Sequence, residues 1–330
     1  QKSNPFSAVP GGFMTGAGHG STIADKYGNY WHASTMRISI NHDFERRVGL
    51  FPAGFDKDGV LYCNQNFADY PHRIPAGKFD AASQQPEWML LSYKKPVTAS
   101  STAENSSPEL AVNEDCRSWW SAAGAEPGEW LCVDLGKDSD VRAIQVNMAD
   151  EKLVVDFPAD SYGDDRQTRH IETRPQISHY TVETSVNGTD WTIRETVARE
   201  CSNGYYEYAD GIHARYVRVT GGELPYGQTL RISGLRVFGN GEGPKPAQAE
   251  AAGTRVDALD ATITWKHIEN AQGCNVRYGV APDKLYLSWL VYDADEVTLS
   301  TLTAGQEYYV CVDSFNENGI TPGKTFKLEG

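Results

Sequence analysis

Short runs of β-branched and aromatic residues, separated by turns rich in glycine, asparagine and aspartate, recur along most of the chain. A helical repeat of apolar positions is nearly absent. Many short strands joined by tight turns favour β-sandwiches and barrels, so the sequence predicts an all-β fold. Clear examples of these runs are 141–146, 180–184, 215–219 and 261–265.

Two breaks in composition divide the 330 residues. The segment 81–86 is typical of a connector, and 239–246 is richer still in glycine and proline. Both are expected to be linkers or boundary loops. The sequence therefore predicts three domains or partial domains, listed here from the amino terminus: residues 1–92 (the first piece), 93–240 (the middle domain) and 250–330 (the third domain).

The charge balance limits the possible partners. Thirty basic residues against 44 acidic ones give a net charge of −14. Nucleic acid is an unfavourable partner for such a chain, because affinity for it comes largely from neutralised phosphates. No apolar run approaches the roughly 20 residues that span a bilayer. A neutral sugar carries no such electrostatic penalty.

The six cysteines show no Cys-x-x-Cys spacing, so neither a zinc ribbon nor a thioredoxin-type site is indicated. Buried free thiols are the favoured interpretation, because free cysteine behaves as a small apolar residue. An even count also permits disulfides, and the sequence leaves the disulfide state open.

The third domain contains five predicted strands with a central tryptophan, Trp265, placed to fill a sandwich core. The run 302–310 and the Asn316-Glu317-Asn318-Gly319 that follows are similar to the late-strand signature of fibronectin type III domains. The resemblance implies an Ig-like β-sandwich. No cluster of reactive side chains is present in the sequence of this domain, so a spacer or protein-contact role is expected.

The middle domain contains four motifs in order, at 113–121, 130–136, 214–219 and 232–239. In order and spacing they resemble the discoidin fold of coagulation-factor (F5/8) type C domains, which carbohydrate-binding module family 32 shares. The resemblance implies an eight-stranded jelly-roll sandwich with binding loops at one end. Exposed aromatic faces stack on the apolar faces of sugar rings, which suits a plant-type polysaccharide or oligosaccharide as partner.

The same resemblance implies a structural Ca²⁺ with ligands from Asn113 and Asp115. A metal-free Asx turn is the alternative, because the second acidic ligand position of the family holds Gly234 here. Trp119 is the candidate carbohydrate-binding residue, while Trp120 and Trp130 are expected in the core. The long insertion at 149–172 is either a solvated loop or a lid over a neighbouring domain.

The first piece contains Gly18-His19-Gly20-Ser21, then Gly28-Asn29-Tyr30-Trp31-His32, and then four predicted strands in series. Four such strands form one propeller blade. The piece resembles the last blade of the five-bladed propeller of glycoside hydrolase family 43, an arrangement found in bacterial enzymes that degrade polysaccharides. The resemblance implies that His19 lies at the propeller centre and that Arg37 reaches the substrate pocket. A hydrogen-bonded core histidine and a surface ion pair are the respective alternatives.

Family 43 enzymes are inverting, so an aspartate base and a glutamate acid would stand roughly 6.5–9.5 Å apart. In the family these carboxylates lie on earlier blades, so no catalytic residue is expected in this chain. Asp25, Asp56 and Asp58 fall in hairpin turns. The chain begins at Gln1 without a methionine, and we expect the missing amino-terminal blades of the same protein to precede it.

The resulting hypothesis is the C-terminal fragment of a bacterial glycoside hydrolase acting on arabinose-, xylose- or galactose-containing polysaccharides. The protein would be secreted, periplasmic or on the cell surface, and the fragment itself would be inactive. A non-catalytic carbohydrate-binding or adhesion protein is the alternative. A lone blade argues against adhesion, because it has two unpaired edges and almost no core.

Overall fold

The computed structural model describes residues 6–37, 47–149, 175–201 and 203–330. Strands account for 49% of it and helix for 4%, so the predicted all-β fold class is confirmed. No helix in these ranges is long and apolar enough to cross a membrane. The insertion for which a lid was considered lies almost entirely outside the described residues. None of the six cysteines, all of which lie in the described ranges, forms a disulfide, and five of them are buried.

The first piece forms one four-stranded antiparallel sheet in chain order. Asp25 closes the first hairpin by accepting hydrogen bonds from the backbone N–H groups of Tyr27 and Asn29, and Asp56 closes the third in the same way. Burial would raise the pKa of Asp25, but hydrogen bonds from Trp31, Asn29 and the backbone lower it to about 2. Both aspartates therefore stabilise hairpin turns. The strands are β1 (Thr15–Ala24), β2 (Tyr30–Arg37), β3 (Arg47–Phe55) and β4 (Leu61–Cys63).

The middle domain is built on an eight-stranded sheet folded into two layers, whose first strand, Met89–Leu90, comes from the end of the first piece. Its inward-facing residues form the largest buried cluster, which includes Trp120, Leu131, Val146, Val217 and Leu235. Short 3₁₀ helices occupy Ala81–Ser83, Pro108–Val112 and Pro225–Gly227. The strands are β5 (Met89–Leu90), β6 (Val97–Ala99), β7 (Trp120–Ser121), β8 (Trp130–Met148), β9 (Ser178–Ser185), β10 (Thr192–Arg199), β11 (Asn203–Gly221) and β12 (Arg231–Asn240).

Two 19-residue strands, β8 and β11, create both layers. The first half of β8 pairs with the second half of β11, and the second half of β8 pairs with the first half of β11. Register shifts between Glu207 and Ile212 and between Ala214 and Tyr216 mark the bend. Gly211 lies at the first shift and Gly136 faces the second, with φ values of 73° and 85°. Positive φ costs glycine little. The bend returns both ends of each strand to the same end of the sandwich.

The third domain is a sandwich of two sheets, with strand order β13-β14-β17 in one and β16-β15-β18-β19 in the other. All five predicted strands are present, and Trp265 lies in the core as expected. The strands are β13 (Ala251–Arg255), β14 (Ala261–Trp265), β15 (Gly273–Gly279), β16 (Leu287–Tyr292), β17 (Glu296–Leu299), β18 (Tyr309–Asn316), β19 (Gly319–Thr321) and β20 (Phe326–Lys327).

The three parts of the chain share one buried apolar cluster, here called the junction. It lies on the outer face of the middle-domain layer that contains β12, and that layer is therefore covered on both sides. β5, at the end of the first piece, pairs with β12 and carries the chain across. The junction residues are Phe67, Tyr70, Trp88, Met89, Leu90, Tyr93, Ala143, Phe238, Leu290 and Phe315.

One arginine, Arg236, lies at the centre of the junction, and its side chain is 1% exposed. Its guanidinium binds both carboxylate oxygens of Glu114, at 3.0 and 2.9 Å. It also donates to the backbone oxygen of Asp69 at 2.6 Å and to Gln145 Oε1 at 2.9 Å. Tyr292 of the third domain donates to Glu114 Oε2 at 3.4 Å. Arg236 thus bonds to the first piece and to the middle domain, and its partner Glu114 bonds to the third domain.

The stretch 239–246 was predicted as a linker or boundary loop, but Gly239 and Asn240 belong to β12. The segment 241–250 that follows has no regular structure and is held by hydrogen bonds to the third domain. Asn316 Nδ2 donates to the backbone oxygen of Pro244 at 3.0 Å, and Thr321 Oγ1 donates to that of Pro246 at 2.7 Å. The division of the chain into domains at this segment stays a prediction. The composition does not reveal that the boundary segment is anchored along its length.

Candidate functional site

The bend in β8 and β11 brings several chain segments to one end of the middle domain, here called the loop end. The ends of β8, β10 and β11 and the starts of β9 and β12 all lie there. His179 at the start of β9 bonds to Gly222 and Glu223 after β11, at 2.7 and 2.9 Å. Ala149 N, after β8, bonds to Arg231 O at 3.1 Å. Backbone hydrogen bonds therefore fix the ends of these segments against one another.

A cavity of about 310 Å³ lies at the loop end. This volume falls at the lower end of the range of roughly 300–1,000 Å³ for small-molecule sites. Arg47, the first residue of β3, also lines it, so the first piece reaches the site. The lining residues are Arg47, Met148, Ala149, Gln176, Ser178, Glu200, Cys201, Leu224, Pro225, Tyr226, Gln228, Thr229 and Arg231.

The only aromatic side chain among these lining residues is Tyr226, in the loop between β11 and β12. Tyr226 and Gly227 both take left-handed backbone conformations, with φ of 58° and 61°. A non-glycine residue in this region is uncommon, and backbone strain of this kind clusters at functional sites. The turn is closed by Gly227 N donating to Leu224 O at 3.2 Å. The tight turn thus holds a half-buried aromatic ring at the cavity.

The polar groups of the cavity supply both donors and acceptors. Gln176 N donates to Glu200 Oε1 at 3.0 Å, which fixes the carboxylate. Arg231 Nε is buried and has no hydrogen-bond partner in the described part of the chain. A buried donor left without a partner is costly. A hydroxyl group bound in the cavity could accept a hydrogen bond from this donor.

Trp119, the candidate sugar-binding residue from the sequence, is half-buried next to β7 and does not line this cavity. Its neighbour Trp120 is fully buried, as expected. Trp130 was expected in the core but is half-buried, with its ring 6.0 Å from the Arg218 guanidinium. The reason is strand alternation, because Leu131 and Val133 take the inward positions. Sugar binding by Trp119 stays a prediction.

The Asn113–Arg117 loop contains the Asx turn that was the alternative to a metal site. Asn113 Oδ1 accepts from Asp115 N at 2.9 Å. Both carboxylate oxygens of Asp115 bind the Arg117 guanidinium, at 2.8 and 3.2 Å. Among the described residues, no group of three or more metal-ligating His, Cys, Asp or Glu side chains is assembled. This donor arrangement does not fit Ca²⁺ unless Arg117 moves away, and calcium binding stays a prediction.

The structure gives a physical reason for glycine at position 234. A Cβ atom there would lie 2.6 Å from the Phe13 ring of the first piece, so only glycine leaves room for that contact. Glu114 between the two predicted ligands has φ of 62° and turns its carboxylate inward to Arg236. Burial raises the pKa of Glu114, and the Arg236 guanidinium opposes that shift. The loop is thereby tied to the junction.

The first-piece residues predicted to support an active site lie on neighbouring strands. His19 is exposed on β1, has φ of 55°, and falls where the β1–β2 register is irregular. Arg37 is the last residue of β2 and pairs with Thr15. His19 does not line the cavity at the loop end. Their roles stay predictions.

Sequence reasoning did not find Tyr226 or Arg231. Tyr226 occurs in a Pro-Tyr-Gly triplet, which is typical of a turn. The triplet gives no indication that the tyrosine ring lies at a cavity. The available signal was an aromatic residue between two turn formers, directly before the last strand of a sandwich. Arg231 begins that strand, and its position at the cavity depends on the pairing of Arg231 with Ser121 in β7.

Comparison with solved structures gives matches of low similarity. Chitosan-binding module 1 from a chitosanase/glucanase of Paenibacillus sp. IK-5 is 20% identical, with a TM-score of 0.35, covering 46% of this chain and 99% of that one. A fucose-binding module of Streptococcus pneumoniae is 21% identical, with a TM-score of 0.32, covering 49% and 99%. A structure described as a glycoside hydrolase is 15% identical, with a TM-score of 0.35, and this chain covers 47% of its length.

A comparison with curated proteins found no significant match to this chain. A protein-family model does match. It covers residues 110–219, a third of the chain, and describes an F5/8 type C domain that is NedA-like and galactose-binding. These residues run from the helix before the Asn113–Arg117 loop to the second half of β11. The match confirms the discoidin resemblance of the middle domain, which is a discoidin-like domain of the F5/8 type C kind.

Proposed function

We propose that the middle domain binds a sugar residue of a neutral glycan in the cavity at the loop end. The observation that carries this proposal is the match of residues 110–219 to a galactose-binding family model. The cavity adds the chemistry of a sugar site, with one aromatic ring on Tyr226 and polar groups on Gln176, Glu200, Gln228 and Arg231. An aromatic ring stacks on the apolar face of a sugar, and the polar groups bind its hydroxyls.

We further propose that the chain is the C-terminal part of a secreted bacterial glycoside hydrolase. The resemblance of the first piece to a family 43 blade supports this, as does its four-stranded sheet in chain order. Several side chains on one face of this sheet are exposed, including Ile23, Val48 and Leu50. Preceding blades of the same protein would cover that face. The catalytic carboxylates would lie on those blades, so this chain alone should not cleave glycosides.

The sugar-binding proposal is tested by calorimetric titration with galactose and with arabinan, xylan and galactan fragments. Tyr226→Ala should weaken binding at least tenfold, because the stacking surface is lost. Alanine also disfavours positive φ, so the backbone cost is similar in both proteins. Tyr27→Ala, which removes an exposed ring from the first piece, is the matched control and should leave affinity unchanged. The proposal would be contradicted if no sugar binds, or if the Tyr226→Ala variant binds as tightly as the original chain.

The enzyme proposal has a separate test. Incubation of the chain with aryl arabinofuranoside and aryl xyloside substrates should release no product. Turnover by this chain would show that the catalytic carboxylates are present in it. A purified longer form of the protein with the preceding blades should cleave at least one of these substrates, and its inactivity would contradict the enzyme proposal.

A further inference from the structure

A second open cavity, here called the groove, lies beside the first half of β11 and shares no lining residue with the cavity at the loop end. Its volume is about 520 Å³, within the range of small-molecule sites. One wall is the segment that follows the four-stranded sheet, and the opposite wall is the first half of β11. The groove therefore exists only where the first piece and the middle domain are packed together. It is lined by Pro71, His72, Arg73, Ile74, Glu87, Trp88, Tyr205 and Glu207.

The walls of the groove carry two aromatic rings. Tyr205 is 46% exposed, which is high for a tyrosine on the edge of a buried junction. Trp88 belongs to the junction and reaches the groove with 9% of its surface exposed. Tyr205 Oη donates to Glu207 Oε2 at 3.3 Å, so the hydroxyl end of the ring is held while almost half of the residue's surface stays exposed. An exposed aromatic ring beside a deeper one is suited to an apolar sugar face.

The polar groups of the groove combine an ion pair with a buried nitrogen atom that has no hydrogen-bond partner among the described residues. Arg73 Nη2 and Glu87 Oε1 are 2.6 Å apart and offer a donor and an acceptor side by side. Vicinal hydroxyls need such a combination, since each both donates and accepts. His72 Nε2 lies 2.9 Å from the backbone oxygen of Phe67, so Nε2 carries the proton and Nδ1 is an acceptor. His72 Nδ1 is buried and has no hydrogen-bond partner in the described chain.

The charges of the groove restrict the class of ligand. Glu87 and Glu207 outnumber Arg73, and the chain as a whole carries −14. A uronic acid or a phosphate would be repelled. We propose that the groove is a second saccharide site, which takes a neutral oligosaccharide with one ring stacked on Tyr205 and hydroxyls bound by Arg73 and Glu87. The site differs from the cavity at the loop end, and it does not depend on binding there.

The experiment titrates the full chain with galactotriose, xylotriose and arabinotriose, and with trigalacturonic acid as the acidic counterpart. At least one neutral trisaccharide should bind with a component that Tyr205→Ala lowers at least tenfold. Tyr205→Phe keeps the ring and should stay within about threefold of the original affinity. Tyr226→Ala removes binding at the loop end only, so failure of one site is distinguishable from failure of the other.

A second variant separates loss of binding at the groove from loss of folding. Arg73→Ala changes a side chain that is 73% exposed and should also reduce the same binding component, with an unchanged melting temperature. The proposal is overturned if the groove variants leave all trisaccharide binding intact. It is also overturned if trigalacturonic acid binds the groove as well as the neutral sugars do, or if the wild-type chain shows no component beyond the one that Tyr226→Ala removes.

Discussion

The two outer faces of the middle domain carry the same chemistry in different surroundings. On the face with the first half of β8, Arg218 pairs with Glu183 at 2.7 Å, and its guanidinium lies 3.9 Å from the Trp191 ring. On the face with β12, Arg236 pairs with Glu114 at 2.9 Å and lies 4.8 Å from the Phe13 ring. The first pair remains 22% and 12% exposed, and the second 1% and 2%.

The difference shows how burial changes what an ion pair does. A pair in contact with water contributes little, because solvent already stabilises each charge. A fully buried pair also adds little net stability over apolar residues, but removal of one partner leaves an uncompensated charge. The Arg218 pair is therefore expected to contribute less to stability than the buried pair. Arg236 is expected to be required for the stability of the fold. Its ion pair with Glu114 lies where the three parts of the chain pack together, so loss of the pair should weaken all of these contacts.

The largest expected effect is that of Arg236→Ala. The substitution leaves Glu114 buried without its guanidinium partner, so the free energy of unfolding should fall by about 3–5 kcal/mol. Arg218→Ala is the matched control and should cost about 1–2 kcal/mol, because water still reaches Glu183 while the contact with the Trp191 ring is also lost. Urea unfolding monitored by tryptophan fluorescence measures both. Equal losses in the two variants would mean that the burial difference has no energetic consequence.

A smaller effect is expected for Tyr292→Phe. The change removes a hydroxyl that lies 2.8 Å from Tyr70 Oη and 3.4 Å from Glu114 Oε2, at the contact between the third domain and the rest. Loss of these bonds in a buried place should cost about 1–2 kcal/mol. Tyr27→Phe, at an exposed ring, should stay within about 0.5 kcal/mol. Thermal melts that show no difference between the two variants would contradict this role of Tyr292.

Salt should separate the two faces further. At 1 M salt the screening length falls to about 3 Å, which weakens the Arg218–Glu183 pair but not the buried one. The destabilisation caused by Arg218→Ala should therefore shrink by about half between low salt and 1 M sodium chloride, while that of Arg236→Ala should persist. Parallel urea titrations at the two salt concentrations give the answer. If the cost of Arg218→Ala does not change with salt, the two ion pairs do not differ in their access to solvent ions, and the prediction is wrong.

The smallest effect is expected from calcium. Asp115 is already bound by Arg117, so millimolar Ca²⁺ should raise the melting temperature by less than about 2 °C under the usual relation of ligand binding to stability. Differential scanning fluorimetry with calcium and with a chelator measures it. A larger rise that disappears in Asp115→Asn would show that the ion displaces Arg117 and that the family's metal site is retained.

The sequence was sufficient for the fold class and for most strands, because alternation and turn residues are local. The hairpin turns predicted at Asp25 and Asp56 are examples, where each side chain accepts from backbone N–H groups two and four residues later. Trp265 and Trp120 were placed correctly for the same reason. Each is a large apolar residue within a strand pattern.

The site could be predicted only in part, because its members come together through long-range pairing. Arg236 stands in a strand pattern and gives no local sign that Glu114 and Asp69 will surround it. Tyr226 depends on the meeting of the β11–β12 loop with the ends of β8 and β10. Tyr205 is one of several tyrosines in predicted strands. Its exposure depends on how far the first piece covers the outer face of the middle domain, which the sequence does not show.

The anchored segment 241–250 has a hydrodynamic consequence. Its hydrogen bonds to the third domain, together with the pairing of β5 with β12, leave no free hinge on either side of the middle domain. The three parts should therefore tumble as a single particle. Relaxation measurements on amides in β2, β9 and β15 would then return one rotational correlation time.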